Sequence, residues 1–379
     1  MEPQMNETLY GLELRSTVTG DGQLRLELIE ATIDRPGPDE IVVKVEATPL
    51  NPSDLALLLG PADIETLEVG GTDDRPTLKA AIPAWAMGAM KPRLDQSMPV
   101  GNEGSGTVVR AGSEVAGLLG KRVGMVGGGM YAQYRKIKAR DVIVLPDDSS
   151  AADGASMFVN PLTALGFVET MKAEGHTAIV HLAAASNLGQ MLNRICLKDG
   201  IPLVNIVRSE AQVTLLRDQG ANHVLDSTAP DYEAALAGAI EETGATIAFD
   251  PISGGRQAAQ ILSAMERSAA KNLTAHSRYG SSVFKQVYIY GVLDPSPTVL
   301  DRWVGFSWGV GGWLLNNFLQ KAGLETVMRL RQRVVDELRT TFASQYTATI
   351  SLADALKPEY VRAYQRKATG EKYLIDPSL

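Results

Sequence analysis

The sequence predicts an α/β protein in which a β-rich domain is followed by a doubly wound parallel sheet. Two observations carry this prediction. From Tyr10 to about Leu145 the chain shows alternating or apolar runs, QLRLELIEA, EIVVKVEA and GTVVRAG, broken by Pro and Gly. That is the pattern of half-buried strands in a barrel or sandwich. From Asn160 onward, short apolar strands alternate with helical stretches, which implies βαβ units on a parallel sheet. The tail, TATISLADALKPEYVRAYQRKATGEKYLIDP, reads as strand, helix and strand, and is expected to rejoin the first domain. The expected boundaries are therefore residues 1–155 with 343–379 for the β-rich domain, and 156–342 for the parallel-sheet domain.

The five strands expected in the parallel sheet begin at Thr177, begin at Pro202, run from His223 to Leu225, run from Thr246 to Asp250, and run from Gln286 to Tyr290. The first passes through the small-residue loop Ala183-Ala184-Ala185-Ser186-Asn187 into a helix opening at Leu188. A buried strand that turns directly into a helix aims free backbone N–H groups and the helix dipole at one point, which suits a phosphate. The usual G-x-G-x-x-G is absent and only Gly189 survives of it. Small side chains still let a pyrophosphate approach, and Asn tolerates left-handed geometry. The second strand ends at Arg208, where NAD-binding sheets usually place an acid against the ribose hydroxyls; a guanidinium suits a further phosphate and so points to NADPH. Ser209-Glu210-Ala211-Gln212 has the form of a capping box opening the next helix, and Gly220 lies where that helix should end.

With 379 residues, 45% of them hydrophobic, the chain is long enough for two substantial cores. Lys and Arg number 36 against 44 Asp and Glu, a net charge of −8, which leaves no basic footprint for nucleic acid. The opening MEPQMNETLYG holds neither a basic segment nor an apolar run, and no stretch approaches the roughly 20 apolar residues that span a bilayer. A soluble cytoplasmic protein without a membrane partner is expected. The single cysteine, Cys196, excludes an intrachain disulfide and any Cys-rich zinc site. The four histidines, His176, His181, His223 and His276, form no H-x-x-x-H or H-E pair, so a catalytic metal is not expected.

Taken in order, several segments resemble those of a known family across essentially the whole chain. They are Leu50-Asn51-Pro52-Ser53-Asp54, Pro99 to Val108 (PVGNEGSGTV), Ala111 to Val115, Asn160-Pro161-Leu162-Thr163-Ala164, Ala183 to Gln190, Asn205-Ile206-Val207-Arg208 and Gly370-Glu371-Lys372. The chain resembles the zinc-free branch of the medium-chain dehydrogenase/reductases, which includes NADPH:quinone oxidoreductases and 2-enoyl thioester reductases. The resemblance implies a Rossmann doubly wound parallel sheet domain that binds NADPH and a β-rich GroES-like catalytic domain. Zinc-dependent members carry Gly-His-Glu where this chain has Gly101-Asn102-Glu103, and the cysteine-rich lobe for a structural zinc is missing, so no zinc is expected.

The resemblance also implies roles residue by residue. Asn51 is the candidate for positioning at the catalytic end. Asn51 and Thr163 are placed near the nicotinamide end, Asn160 is a further cofactor-binding candidate, and Ser186, Asn187, Leu188 and Gly189 lie around the pyrophosphate. Arg208 would meet the 2′-phosphate. Asp250 and Ile252, with Tyr290, Gly291 and Leu293, would lie against adenosine and nicotinamide. Phe306 and Trp308 would border the nicotinamide pocket, and Lys372 corresponds to a family lysine near the cofactor. The strand-like LDRWVGFSWG region resembles the segment that pairs cofactor domains in a homodimer.

Enoyl thioester reductases use a tyrosine in the loop after Asn-Pro-Ser-Asp to assist protonation, yet this chain has no tyrosine between Tyr10 and Tyr131. In its place stands the Gly60 to Met98 segment, with apolar AIPAWAMGAM around Trp85 and the basic Lys91 and Arg93. Trp85 and, from the other side, Tyr279 are the substrate-pocket candidates, with the basic residues available to a carboxylate or a coenzyme A phosphate. A quinone or activated enone needs less acid catalysis than a thioester. The expected activity is therefore NADPH-dependent, zinc-independent hydride transfer to a quinone or α,β-unsaturated carbonyl, with the proton donor unassigned. The alternatives are a 2-enoyl thioester (enoyl-CoA or enoyl-ACP) reductase with a relocated proton donor, and a non-catalytic NADPH-binding structural protein.

Overall fold

The structure is a computed structural model that describes residues 8–379; the first residues of the N-terminal segment read above lie outside the described ones. Two compact units are present, Met1–Val159 with Val335–Leu379, and Asn160–Val334. These junctions differ from the expected 155 and 343. A helix over Val159–Ala173 opens at the first, and a helix over Leu315–Asp336 runs across the second, so neither break falls in a loop.

The first unit begins with β1 (Leu9–Val18), β2 (Gln23–Ile33) and β3 (Glu40–Pro49). In β2 the leucines at 24, 26 and 28 are buried while Arg25 between them is exposed, the period-two pattern of a strand with one covered face. Each such leucine contributes roughly 1.5–3 kcal/mol relative to an exposed one. The Gly60 to Met98 segment holds β4 (Asp63–Gly71) and β5 (Pro76–Ala81), then leads into β6 (Met98–Pro99). They extend an antiparallel sheet of order β4-β5-β2-β1-β6. β4 escaped notice because most of its residues are exposed, so DIETLEVGG carries no apolar alternation.

The chain continues through β7 (Glu103–Ala111), β8 (Arg122–Val126), β9 (Tyr134–Lys138) and β10 (Val142–Val144). The second unit supplies a six-stranded sheet: β11 (Ile179–Leu182), β12 (Leu203–Val207), β13 (His223–Asp226), β14 (Ile247–Asp250), β16 (Lys285–Ile289) and β18 (Trp308–Gly312). Two short strands, β15 (Ser253–Gly255) and β17 (Asp294–Thr298), pair with each other outside it. The sheet order is β13-β12-β11-β14-β16-β18, and every pairing in it is parallel. That is the doubly wound order, with its switch point between β11 and β14. The strand character expected in LDRWVGFSWG lies at its end, from Trp308. Both faces are covered, and Val180, Leu182, Val204, Ile206, Ala248 and Val287 pack with Leu236, Ile240, Ile261 and Leu262 in one core.

The tail closes the first unit with β19 (Ala348–Ile350) and β20 (Tyr373–Ile375), flanking a helix over Pro358–Gln365. β20 pairs antiparallel with β3, completing a sheet that runs β10-β8-β7-β3-β20-β19, with β9 also on β3. Its return places Lys372 beside residues of the first 159. The fold is thus the α/β combination that the sequence predicts.

Candidate functional site

In the parallel-sheet unit, the chain leaves β11 through Ala183, whose φ of +51° is left-handed although the residue is not glycine. Asn187, expected to tolerate that geometry, instead begins the helix Asn187–Asp199, capped by Ser186, whose Oγ accepts from Gly189 N at 3.1 Å. A Cβ on Gly189 would lie 2.2 Å from the Ala184 carbonyl oxygen. This glycine therefore lets the helix start close against the turn, and Leu188 beside it is buried. The dipole of a 13-residue helix points its positive end at this turn.

Arg208 follows β12 directly and is exposed, and its guanidinium makes no ion pair among the described residues. Its backbone N–H donates to Gln212 Oε1 at 3.1 Å. The expected capping box does not form: Ser209 makes no side-chain cap bond, and the extended Ser209 backbone puts the Arg208 amide, not its own, in reach of Gln212. At the end of β14, Asp250 Oδ1 accepts from Ile252 N at 2.7 Å and Ser253 N at 3.2 Å, folding the chain into a tight turn. Burial pushes the Asp250 carboxyl above its ordinary range. After β16, Tyr290 OH hydrogen-bonds His181 Nε2 at 2.9 Å, Leu293 N donates to Pro251 O at 3.0 Å, and a Cβ on Gly291 would lie 2.9 Å from the same oxygen. Because the strands are parallel, the turns bearing Ser186–Gly189, Arg208, Asp250–Ile252 and Tyr290–Leu293 all leave the same carboxyl end of the sheet, where ligands bind in such folds.

The other expected residues of this unit lie outside those four turns. Thr163 is buried in the helix that opens at Val159, with Asn160 half-buried one turn earlier. Phe306 is 81% exposed and meets the 62% exposed Tyr279 edge to face at 6.0 Å, so these two rings form a surface pair. Trp308 opens β18 and spends its indole N–H on Gly305 O at 3.1 Å.

The first unit holds a buried polar cluster that sequence reasoning found only in part. Asn51 and Asp54 are each 2% exposed and Glu103 1%. Asn51 Nδ2 donates to Glu103 Oε1 at 2.8 Å, and Phe158 N and Val159 N both donate to Glu103 Oε2 at 2.9 Å. Asp54 accepts from Asn51 N and from Asn102 N, each at 2.8 Å. Gly101, with φ +94°, brings Asn102 to this acceptor, and a Cβ there would strike Tyr131 at 2.5 Å. Tyr131 is buried and donates to Pro49 O at 3.1 Å, so its hydroxyl is committed inside the unit. Lys372 Nζ donates to Ser156 Oγ at 2.8 Å, Ser156 shares a 2.9 Å hydrogen bond with Tyr346 OH, and the ammonium lies 5.4 Å above the Tyr346 ring. Removal from water pushes Lys372 down to about 8, against the pull of Glu103 and Asp54. Asp54 and Glu103 lie within Asn51-Pro52-Ser53-Asp54 and Gly101-Asn102-Glu103, whose wording does not mark them as buried acids, and nothing in the local sequence marks Ser156 or Tyr346.

Burial raises the Asp54 carboxyl to about 7, with Glu103 adding to the rise and the Asn51 and Asn102 amides opposing it. The folded protein therefore holds a proton that the unfolded chain, with its carboxyl near 3.8, has released. Its contribution to stability is full below 3.8 and is lost as pH climbs through about 7. Asp54→Asn is expected to flatten the fall in unfolding free energy between pH 4 and 7 by up to about 1.4 kcal/mol per pH unit. Urea unfolding across that range reads it, and an unchanged slope would contradict the assignment.

Much of the apolar surface of the Gly60 to Met98 segment is spent on the core of its own unit. Trp85 is 82% exposed, while Ala86, Met87, Met90 and Leu94 pack against the core of the unit. Arg93 points inward, donating to Leu57 O at 3.1 Å and Ser16 Oγ at 2.9 Å, so it serves the fold and is not available to a ligand carboxylate; Lys91 is exposed.

A family profile for the GroES-like domain of alcohol dehydrogenases matches residues 37–147. The mitochondrial enoyl-[acyl-carrier-protein] reductase of Xenopus tropicalis is 29% identical over 210 residues, covering 53% of this chain and 51% of that protein. A chloroplastic quinone-oxidoreductase homolog of Spinacia oleracea is 27% identical over 227 residues, covering 56% and 60%. The chain thus spans about half the length of the curated relatives it matches. Among solved structures, a protein of Mesorhizobium loti named as an NADPH:quinone reductase superposes with a TM-score of 0.69 at 26% identity, over 99% of this chain and all of that one. An enoyl thioester reductase of Candida tropicalis shares the fold, with a TM-score of 0.67 at 17% identity over 97% of this chain and 100% of that one.

Proposed function

We propose that the chain, which resembles the medium-chain dehydrogenase/reductases in its motifs, its GroES-like segment and its fold, is an NADPH-dependent reductase that passes hydride to a quinone or an α,β-unsaturated carbonyl without zinc. The observation that carries the cofactor reading is the Arg208 guanidinium, without an ion pair among the described residues and exposed at the end of β12, next to the strand that feeds the Ser186–Gly189 helix start. The residues fit the group. Backbone N–H groups at the helix start, which Gly189 lets sit close against the Ala184 turn, would hold the pyrophosphate, and Arg208 would pair with the 2′-phosphate. The dinucleotide, when bound, supplies the hydride.

Zinc-independence rests on how the acids of the first unit are used. Glu103 already accepts three N–H donors and Asp54 two, and Asn102 offers an amide where a ligand histidine would stand. Among the described residues no three His, Cys, Asp or Glu side chains group to hold a metal.

A second reading, reduction of a 2-enoyl thioester, is favoured by the Lys372–Ser156–Tyr346 chain. Its exchangeable protons, with an ammonium near neutrality, are of the kind a relocated donor needs. We also propose a homodimer. β18 is the outer strand of its sheet, and Trp303 and Phe306, just before it in the chain, are 85% and 81% exposed.

Titration of the purified protein with NADPH and with NADH tests the cofactor reading. NADPH should bind more tightly, and equal affinities would defeat it.

A further inference from the structure

A buried imidazole in the second unit has no part in the function proposed above. His181 is fully buried on β11, a central strand where an aliphatic side chain would fill the same space with no polar group to satisfy. Its Nε2 hydrogen-bonds Tyr290 OH at 2.9 Å, and its Nδ1 has no partner among the described residues. The two rings lie nearly parallel, 16° apart, with centroids 5.9 Å from each other.

The bond is unusual in where it runs. β14 stands between β11 and β16 in the sheet, so a side chain of the first strand reaches past the second to the residue that follows the third. Beneath it lies an aromatic floor. Phe167 stacks on Phe249 at 4.0 Å and meets the Tyr290 ring at 4.8 Å, and Trp313 packs edge-on to Phe167 at 4.8 Å while donating to Thr170 Oγ1 at 3.0 Å. Rings packed on several sides hold both partners in one arrangement. Burial drives the His181 ring down to about 3, so it stays neutral and the bond keeps its character at any physiological pH.

What the bond joins are two turns. His181 lies two residues before the left-handed Ala183, which opens the Ser186–Gly189 turn, and Tyr290 immediately precedes Gly291, which is pressed against Pro251 O. We propose that His181 is a positioning residue which, through Tyr290, locks the turn after β11 and the turn after β16 into a single cradle for the dinucleotide. The role toward NADPH rests on the function proposed above. The mechanical link between the turns does not.

The test uses the full-length protein and four variants: His181→Leu, Tyr290→Phe, the two combined, and His181→Gln, which restores a hydrogen-bonding group. Amide hydrogen exchange without ligand reads the link itself. Each single variant should speed exchange in both turns, 183–189 and 290–293, including the turn it does not touch. NADPH titration should show either single change weakening affinity by about tenfold, the double no weaker than the worse single, and His181→Gln recovering most of the loss. Faster exchange confined to the turn carrying the substitution, or losses that multiply in the double, would overturn the proposal. If the wild-type protein bound no NADPH, the functional reading would fall and the exchange result would still decide the link. Should His181→Leu not fold, Tyr290→Phe removes only a hydroxyl and decides alone.

Discussion

Replacing Glu103 by Ala is expected to lower the unfolding free energy by about 3–5 kcal/mol, the largest single effect foreseen in the first unit. The carboxylate is 1% exposed and serves three donors from two different parts of the chain: the Asn51 amide, and the backbone N–H groups of Phe158 and Val159 where a helix begins. Removing it takes away the acceptor that these three donors share, at a cost of about 1–3 kcal/mol for each one that finds no replacement, and loosens the start of the helix. Burial already holds the Glu103 carboxyl above its ordinary range, so part of the gain from its hydrogen bonds is offset by desolvation in the intact protein. Glu103→Gln should fall between, because its single carbonyl oxygen can take only part of the set. Chemical denaturation of the three proteins measures this. A loss below about 1 kcal/mol for Glu103→Ala would mean that water replaces the carboxylate and the cluster is not closed.

Arg208→Ala is expected to weaken NADPH binding by about 1–3 kcal/mol, or roughly five- to 150-fold, and to leave NADH binding nearly unchanged. The guanidinium is exposed and makes no ion pair among the described residues, so no native contact is lost and the fold should be untouched. The asymmetry between the two dinucleotides is the signature. A mere loss of positive field at the turn would weaken both. Increased salt should also narrow the difference, since the contact lies at the surface. Fluorescence titration of both dinucleotides against both proteins reads the effect, and an unaltered NADPH affinity would remove Arg208 from the site.

The parallel sheet was legible because its strands are short, continuous apolar runs separated by helices, and the order of those elements allows few topologies. The phosphate turn was legible even with two glycines missing, because the strand–turn–helix context survives around Gly189. Which residue takes the left-handed position was not: it is Ala183, with no side chain to advertise it, and not Asn187. The β4–β5 hairpin was hidden because β4 is mostly exposed, so the apolar alternation that betrays a strand is absent. Arg93 read as a free cation since nothing in the sequence says that Ser16 and Leu57 O will meet it. The Lys372–Ser156–Tyr346 chain joins positions far apart in sequence and forms only when the tail folds back onto the first unit. Phe306 and Tyr279 are individually ordinary aromatics, and only the structure pairs them at the surface.

The most direct test of a zinc-independent NADPH reductase is oxidation of NADPH followed in parallel with a quinone, a simple enone and a 2-enoyl-CoA, on protein treated with a chelator. The account predicts turnover of the quinone or the enone at a rate the chelator does not change, with NADH a poorer donor. Rapid turnover of the thioester alone would replace the leading reading with the second. Tight NADPH binding with none of the three acceptors reduced would contradict the account.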